Sequence, residues 1–171
     1  MTRTTPTDAG SIPVIDITPL REDSNARTVA EALLAASQNL GFIYISGHGI
    51  PENVITTART RAFDFFKHPQ SEKQRYRVTE KHRGWLAPGG ARMQHDVAVD
   101  LKESYIWGYQ DEDGNSPSDH ELRGPNQWPE FVPGMESAAV DYFHHADRVA
   151  RQLLGAFAVG LNLRPDFFSF Y

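Results

Sequence analysis

The sequence predicts an α+β fold, because segments with helical periodicity alternate with short segments that favour extended structure. In three long segments, apolar residues recur at steps of three and four residues, as they do on one face of a helix. These predicted helices are 25–40, 51–67 and about 134–161. Four shorter segments carry β-branched and aromatic residues and are bounded by glycine or proline, which is typical of strands or extended segments. They are 12–16, 41–46, 83–90 and 102–109.

The composition is that of a chain that can bury a core but lacks the marks of a nucleic-acid-binding or membrane protein. Of its 171 residues 40% are apolar, so it is one domain or a piece of a larger one. The net charge is −5 and the basic residues are scattered, which argues against nucleic acid as a partner. There is no apolar run of about 18 residues and no secretory signal, so we expect a cytoplasmic protein that does not enter a membrane. Without cysteine, any metal must be held by His, Asp or Glu.

The N-terminal part of the chain contains an arm and the first helix. Residues 1–11, rich in Thr, Pro, Asp and Gly, are predicted to be a disordered arm, and 12–171 are predicted to form one region. The first helix has Ser24 or Asn25 available as its cap and Gly41 as its stop.

The segment "GFIYISGHGIP", residues 41–51, places a histidine between two glycines at the end of a predicted strand. The apolar character of this strand is continuous, so we expect it to be covered on both faces. His48 could be a metal ligand, a substrate contact or a turn residue that bonds to the local backbone. A lone histidine between glycines is more often the last of these, and Pro51 suits the first turn of the next helix.

The middle of the chain combines a short helix, two extended segments and a long polar loop. A break near residue 68 is followed by one short helix, for which Ser71 is the predicted cap. In the segment 102–109, alternation puts Tyr105 and Trp107 on the same face. The acidic loop 110–127 is longer than a compact domain usually contains without a functional reason.

The histidines do not form a convincing metal site in the sequence. One His-X-Asp pair, His145 and Asp147, lies inside the third long helix, where residues two apart point about 200° away from each other. Solvated pairs four residues apart, Asp141 with His145 or Asp147 with Arg151, are the more plausible roles of these side chains. His95 and Asp96 are adjacent, so their side chains diverge if the segment is extended. No catalytic Ser-His-Asp signature, P-loop or dinucleotide-binding glycine motif is present.

Seven short motifs follow one another along residues 12 to 168. They are "IPVIDIT", "LGFIYISGHGIP", "AFDFFKHPQSEKQRY", "RGWLAPGG", "DLKESYIWGY", "GPNQWPE" and "LNLRPDFF". Each motif alone is a weak signal, but their order resembles that of the N-terminal half of the isopenicillin-N-synthase-like family of non-haem Fe(II) oxygenases, most of which depend on 2-oxoglutarate.

This resemblance implies a double-stranded β-helix, or jelly-roll, oxygenase of which this chain holds the helical and flanking-strand portion. It implies that Fe(II) and 2-oxoglutarate serve the complete enzyme, that the core strands and all their ligands lie downstream of this chain, and that these 171 residues alone contain no catalytic or metal residue and are inactive. His48 would belong to a scaffold turn. The aromatic tail would pack against the missing C-terminal β-core or another chain, and its residues are Phe167, Phe168, Phe170 and Tyr171.

In relatives, the segments similar to 83–90 and 102–109 line one wall of the pocket for a small-molecule substrate. The resemblance therefore implies five substrate-binding residues: Arg83, Trp85, Arg92, Tyr105 and Trp107. The two arginines would bind a substrate carboxylate through their planar guanidinium groups, and the aromatic residues would supply apolar wall. Against this, a surface arginine is usually solvated and an aromatic residue on a strand usually belongs to the core.

Two other functions stay open at the level of the sequence. The chain could be a non-catalytic, truncated half-fold that binds a partner through its aromatic tail. It could also be an unrelated metal-binding α+β domain that uses its own histidines.

Overall fold

The structure, a computed structural model, describes residues 11–22, 26–90, 101–110 and 124–169. Its helices are α1 (Thr18–Arg21), α2 (Ala26–Asn39), α3 (Glu52–Lys67), α4 (Gln70–Lys73) and α5 (Met135–Gly160). Its strands are β1 (Val14–Asp16), β2 (Tyr44–Ser46), β3 (Gly84–Leu86) and β4 (Ser104–Ile106). The mixture of helices and short strands agrees with the predicted α+β class, and the three long helices are confirmed. The predicted caps Ser24 and Asn25, residues 1–10, most of the 110–127 loop, Arg92, His95, Asp96, Phe170 and Tyr171 lie outside the described residues.

The chain divides into two compact units. The first is formed by the described residues up to Ile50 and from His145 onward, and the second by the described residues of Pro51–His144. Helix α5 begins in the second unit and ends in the first.

The first unit is built on a two-stranded parallel sheet. Strands β1 and β2 pair so that Val14 is opposite Tyr44 and Ile15 is opposite Ile45. Behind the sheet, apolar side chains of β1, α2 and α5, together with Ile17 between β1 and α1, form one buried cluster. It consists of Ile15, Ile17, Val29, Ala30, Leu33, Val149 and Ala156. The apolar stripes predicted for these helices therefore face a common core.

The expectation that the strand at 41–46 is covered on both faces is wrong for the described structure. Ile43 and Ile45 pack against the core cluster, but Phe42 and Tyr44 are 67% and 60% exposed. Val14, opposite Tyr44, is 56% exposed as well. The reason is that successive side chains of a strand point to opposite faces, and only one face of this sheet meets the core cluster.

The segment Gly47-His48-Gly49 is a backbone turn, as the preferred interpretation of His48 requires. The Nδ1 atom of His48 accepts a hydrogen bond of 3.0 Å from the backbone N–H of Ile50. Both glycines have positive φ, +68° and +72° respectively. The Gly47 carbonyl accepts a bond of 3.0 Å from Nε of Arg21, which ties the turn to α1. His48 is thus confirmed as a turn residue.

Replacing Gly47 with alanine should destabilise the first unit. A Cβ at this position would overlap the Asp16 carboxylate and the Thr18 hydroxyl, in addition to the cost of a left-handed conformation. Thr18 donates to the Asp16 carboxylate through its backbone N–H and its hydroxyl, and these hydrogen bonds hold the pKa of Asp16 below its usual value. The added Cβ would therefore also disturb the interaction between Thr18 and Asp16. We expect a loss of about 2–4 kcal/mol in the free energy of unfolding, measured by urea denaturation.

Gly41 offers a matched control for this substitution. Its φ is +77°, but a Cβ there would be 4.0 Å from its nearest described neighbour, the Ser37 carbonyl oxygen. Gly41→Ala should therefore cost only the backbone term, about 1–2 kcal/mol. Equal losses in the free energy of unfolding of the two variants would show that the neighbours of Gly47 move aside without a measurable cost.

The second unit contains α3, α4 and a two-stranded antiparallel sheet of β3 and β4. Helix α4 is followed by a 3-10 turn at Gln74–Tyr76. The prediction that Ser71 caps the short helix is wrong, since Ser71 lies inside α4. Pro69 precedes the helix, and its carbonyl accepts the backbone N–H groups of Glu72 and Lys73. Proline is well suited to that position because its φ is already fixed near the helical value.

Candidate functional site

The centre of the second unit is an aromatic core around β3 and β4. We call this group, which consists of Phe65, Trp85, Tyr105, Val132 and Met135, the aromatic core. Trp85 and Tyr105 are directly opposite each other in the antiparallel pair, so they share one face of the sheet. Trp107 and Trp128 are partly buried and pack against the same group.

An ion pair between a buried lysine and a partly exposed glutamate, Glu103, whose side chain is 27% exposed, lies against Trp85. Lys73, with 7% of its side chain exposed, donates to both carboxylate oxygens of Glu103 at 2.8 and 3.0 Å. The same ammonium group donates to the Phe66 carbonyl at 3.1 Å. Trp85, which is fully buried, donates from Nε1 to Oε2 of Glu103 at 2.7 Å. Glu103 therefore neutralises a buried cation and satisfies a buried indole at the same time.

Tyr105 is held at both ends of its side chain. Its ring meets the Phe65 ring edge to face, with 4.6 Å between the ring centroids. Its hydroxyl donates to the backbone carbonyl of Gln127. Burial, and secondarily the nearby Tyr76, raises the pKa of the Tyr105 hydroxyl, so this group remains a hydrogen-bond donor through the neutral range.

Arg83 is 8% exposed, which is less than expected of an arginine whose guanidinium group is accessible to a ligand. Its Nη1 donates to the His82 carbonyl at 3.0 Å, and its guanidinium group lies against the backbone of Gly108. Trp107, the residue before Gly108, is half-buried.

The structure thus brings three of the five predicted substrate residues together. Trp85 and Tyr105 belong to the aromatic core, and Trp107 packs against it. Tyr105 and Trp107 therefore meet the same core, which agrees with the predicted alternation. Trp85 and Tyr105 are core residues in the described structure, with 0% and 9% exposure. Arg92 lies outside the described residues. The role of all five in binding a substrate stays a prediction.

Several side chains that organise this region were not singled out from the sequence. Lys73 and Glu103 are 30 positions apart, so no local pattern links them. Gln127 donates from Nε2 to the carbonyls of Arg77 and Arg83 at 3.1 and 2.7 Å. The one available signal was chemical: a Glu between the strand-forming residues of 102–109 needs a partner if that strand is buried.

Within residues 11–22, 26–90, 101–110 and 124–169, no three His, Asp or Glu side chains are placed to hold one metal ion. The donor atoms are used locally instead. Nδ1 of His68 is 2.7 Å from Glu72, and Asp147 forms an ion pair of 2.7 Å with Arg151, as predicted. Nδ1 of His145 is 3.3 Å from Arg148. These described residues do not by themselves fit Fe(II).

A separate cavity of about 220 Å³ lies in the first unit, along the C-terminal half of α5. Its lining includes Asp147, Arg151, Leu154, Pro165 and Phe168. None of these belongs to the five predicted substrate residues. Phe168 contacts the ring of Phe167, which is 45% exposed, so the described half of the aromatic tail is only partly covered.

None of the helices within the described ranges combines the length and the apolar character needed to cross a lipid bilayer.

Known proteins similar to this chain are iron- and 2-oxoglutarate-dependent oxygenases. The validamycin A dioxygenase of Streptomyces hygroscopicus subsp. limoneus is 29% identical, over 94% of this chain and 46% of its own length. A 2-oxoglutarate-Fe(II) type oxidoreductase of Metarhizium majus is 29% identical, over 92% of this chain and 46% of its own length. The chain therefore spans about half the length of these curated relatives.

Solved structures show the same likeness. The full-length T7H of Neurospora crassa in complex with alpha-KG superposes with a TM-score of 0.78 at 26% identity. The match covers 99% of this chain and 53% of that one. The profile of one family, described as "non-haem dioxygenase in morphine synthesis N-terminal", matches residues 12–131, which is more than half of the chain. The chain therefore belongs to the family defined by the N-terminal region of non-haem dioxygenases, a group whose relatives are Fe(II)- and 2-oxoglutarate-dependent enzymes.

Proposed function

We propose that this chain is the N-terminal part of an Fe(II)/2-oxoglutarate-dependent oxygenase of the isopenicillin-N-synthase-like type that acts on a small molecule. In this proposal the reaction is a hydroxylation, desaturation or cyclisation, and the chain supplies scaffold and one wall of the substrate pocket. The jelly-roll core strands and the ligands of iron and 2-oxoglutarate belong to polypeptide outside these 171 residues.

The observation that carries the proposal is the family match over residues 12–131, together with relatives that are about twice as long. The named relatives include a 2-oxoglutarate-Fe(II) type oxidoreductase and an enzyme named validamycin A dioxygenase. The second unit contributes an aromatic core fixed by an internal ion pair, which is a suitable support for a pocket wall. Half-buried Trp107 can pack on that core with one face and meet a ligand with the other.

Exposed apolar side chains of the first unit support the presence of a covering polypeptide. Phe42, Tyr44 and Val14 form one uncovered face of the β1–β2 sheet, and Phe167 is exposed in the tail. Contiguous apolar surface of this kind marks an interface. The same observation favours the second candidate, a half-fold that binds a partner without chemistry of its own.

Anaerobic titration of the full-length protein with Fe(II) and 2-oxoglutarate tests the cofactor assignment. The visible absorption of the Fe(II)–2-oxoglutarate complex should develop with one equivalent of each, and a protein comprising residues 1–171 alone should not produce it. Stoichiometric iron binding by residues 1–171 would contradict the assignment of the ligands to another segment. Absence of the complex in the full-length protein, with retained binding to a partner polypeptide, would favour the non-catalytic module.

The pocket wall is tested separately through Arg92. In the full-length enzyme, Arg92→Ala should raise KM for the substrate by about tenfold or more and leave Fe(II) binding unchanged, because a lost charge-assisted hydrogen bond is worth at least that factor. Arg59→Ala, an exposed arginine on α3, is the matched control and should leave KM unchanged. An unchanged KM in the Arg92 variant would reject its role as the carboxylate anchor.

A further inference from the structure

The backbone just beyond β4 is paired by a side chain instead of by a strand. Strand β4 ends at Ile106, two residues before Gly108. Oδ1 of Asn126 accepts the N–H of Gly108 at 2.9 Å, and Nδ2 of Asn126 donates to the Gly108 carbonyl at 3.0 Å. One amide group thus satisfies both backbone groups of a single residue, as a neighbouring strand would.

A second side chain lies beside the same glycine. The guanidinium group of Arg83 lies so close to Gly108 that an added Cβ would overlap its Nη2 atom and lie 2.8 Å from its Cζ. A side chain at 108 would therefore displace the guanidinium group of Arg83 from this buried position. Gly108 is thus covered by Arg83 and hydrogen-bonded through its backbone to Asn126.

The restraint continues two residues further along the chain. Nδ2 of Asn126 also donates to Oε1 of Gln110 at 3.0 Å, and the indole of Trp128 donates to the same oxygen at 3.1 Å. Nε2 of Gln110 donates to Glu136 in the first turn of α5 at 2.9 Å. The segment that follows Trp107 is thereby tied to α5 through side-chain amides.

We propose that Asn126 is a positioning residue that fixes the indole of Trp107 by holding the backbone of Gly108. Trp107 packs on the aromatic core, and no hydrogen bond among the described contacts joins its indole to that core. Packing and the position of the backbone at Gly108 therefore orient the ring together. The importance of that orientation for substrate specificity rests on the proposed function, in which Trp107 is part of the pocket wall. Asn126 would act on the pocket through Trp107 without touching the substrate.

The amide of asparagine is suited to this task in a way that close analogues are not. Aspartate keeps the acceptor for the Gly108 N–H but lacks the donor for the Gly108 carbonyl and for Gln110. Alanine lacks both. The two variants therefore remove the contacts in two steps, and Asn126→Asp provides a milder change should Asn126→Ala fold poorly.

The test uses the full-length protein labelled with 5-fluorotryptophan and observed by fluorine NMR, without any substrate. Residues 1–171 contain 3 tryptophans, and Trp107→Phe assigns the resonance of interest. In Asn126→Ala we expect the Trp107 resonance to shift or broaden and the Trp85 resonance to stay unchanged, because Trp85 is held by Glu103. Hydrogen exchange at the Gly108 amide should accelerate by about tenfold or more. In Asn126→Asp the Trp107 resonance should also change, while the Gly108 amide stays protected.

The control is Asn53→Ala, an exposed asparagine on α3 in the same unit, which should alter neither the Trp107 resonance nor exchange at Gly108. An unchanged Trp107 resonance in both Asn126 variants would overturn the inference. A Trp85 resonance that moves as far as that of Trp107 would also overturn it, since that indicates general loosening of the unit. Because no metal, cosubstrate or substrate is added, either result stands independently of whether the protein is an oxygenase.

Discussion

Replacing Glu103 with alanine should lower the free energy of unfolding by about 3–5 kcal/mol, since it leaves the buried ammonium group of Lys73 without its carboxylate partner. The ammonium group of Lys73 would keep only the Phe66 carbonyl as an acceptor among its described contacts. The indole of Trp85 would lose its acceptor at the same time. Urea denaturation of the full-length protein, followed by circular dichroism, measures the loss.

The surface pair of Arg27 and Glu31 on α2 gives the matched control. Its side chains are 71% and 63% exposed, and its N–O distance of 3.1 Å is similar to that of the Lys73–Glu103 pair. Glu31→Ala should change the free energy of unfolding by no more than about 0.5 kcal/mol, because water solvates both charges and screens them. A Glu103 variant as stable as the Glu31 variant would mean that Lys73 reaches solvent when its partner is removed.

A double substitution separates the cost of an unpaired charge from the value of the pair itself. Lys73→Met together with Glu103→Leu removes both charges and keeps similar volumes, and such replacements are often neutral or stabilising. We expect this double variant to recover most of the stability lost in Glu103→Ala. The indole of Trp85 would still lack an acceptor, so recovery should be incomplete by about 1–3 kcal/mol.

The long helices could be predicted from the sequence because their signal is local. Apolar residues at helical spacing recur over at least three turns in each of α2, α3 and α5, and the predicted ends fall within one or two residues of the observed ones. His48 was predicted to be a turn residue for an equally local reason, because a lone histidine between two glycines more often bonds to the local backbone than to a metal.

The strands were harder to predict because burial depends on what covers each face. The run from Phe42 to Ile45 is apolar at every position, which suggests two covered faces, yet only the face of Ile43 and Ile45 meets the core of its unit. Ser71 failed as a cap for a similar reason. The start of α4 is set by Pro69, whose carbonyl begins the hydrogen-bonding of that helix.

The candidate site was only partly accessible to sequence reasoning. Alternation placed Tyr105 and Trp107 on one face, but the pairing of Trp85 with Tyr105 depends on a strand register that the sequence does not specify. The ion pair of Lys73 and Glu103 joins residues 30 positions apart, and the hydrogen bonds between Asn126 and Gly108 join residues 18 positions apart. Such contacts are created by the fold and have no periodic signature.

Substituting Trp85 with alanine should cost about 3–5 kcal/mol in the free energy of unfolding, which is the usual range for a fully buried large aromatic residue. The reason is the cavity left inside the aromatic core, since Trp85 is 0% exposed and packs beside Phe65 and Tyr105. Trp85→Phe retains most of the packing but leaves Glu103 with one donor fewer, so it should cost less, about 1–3 kcal/mol. Urea denaturation of both variants provides the comparison.

Trp107→Ala serves as the control, because it removes the same side chain from a half-buried position on the same core. Burial predicts a clearly smaller loss of stability for Trp107 than for Trp85, since less apolar surface is returned to water. If Trp85 instead faced the substrate and contributed little to the core, Trp85→Ala and Trp107→Ala would reduce the free energy of unfolding by similar, small amounts. Both variants would then show a higher KM for the substrate. The ratio of the two stability losses therefore decides whether Trp85 supports the pocket from behind or faces the ligand directly.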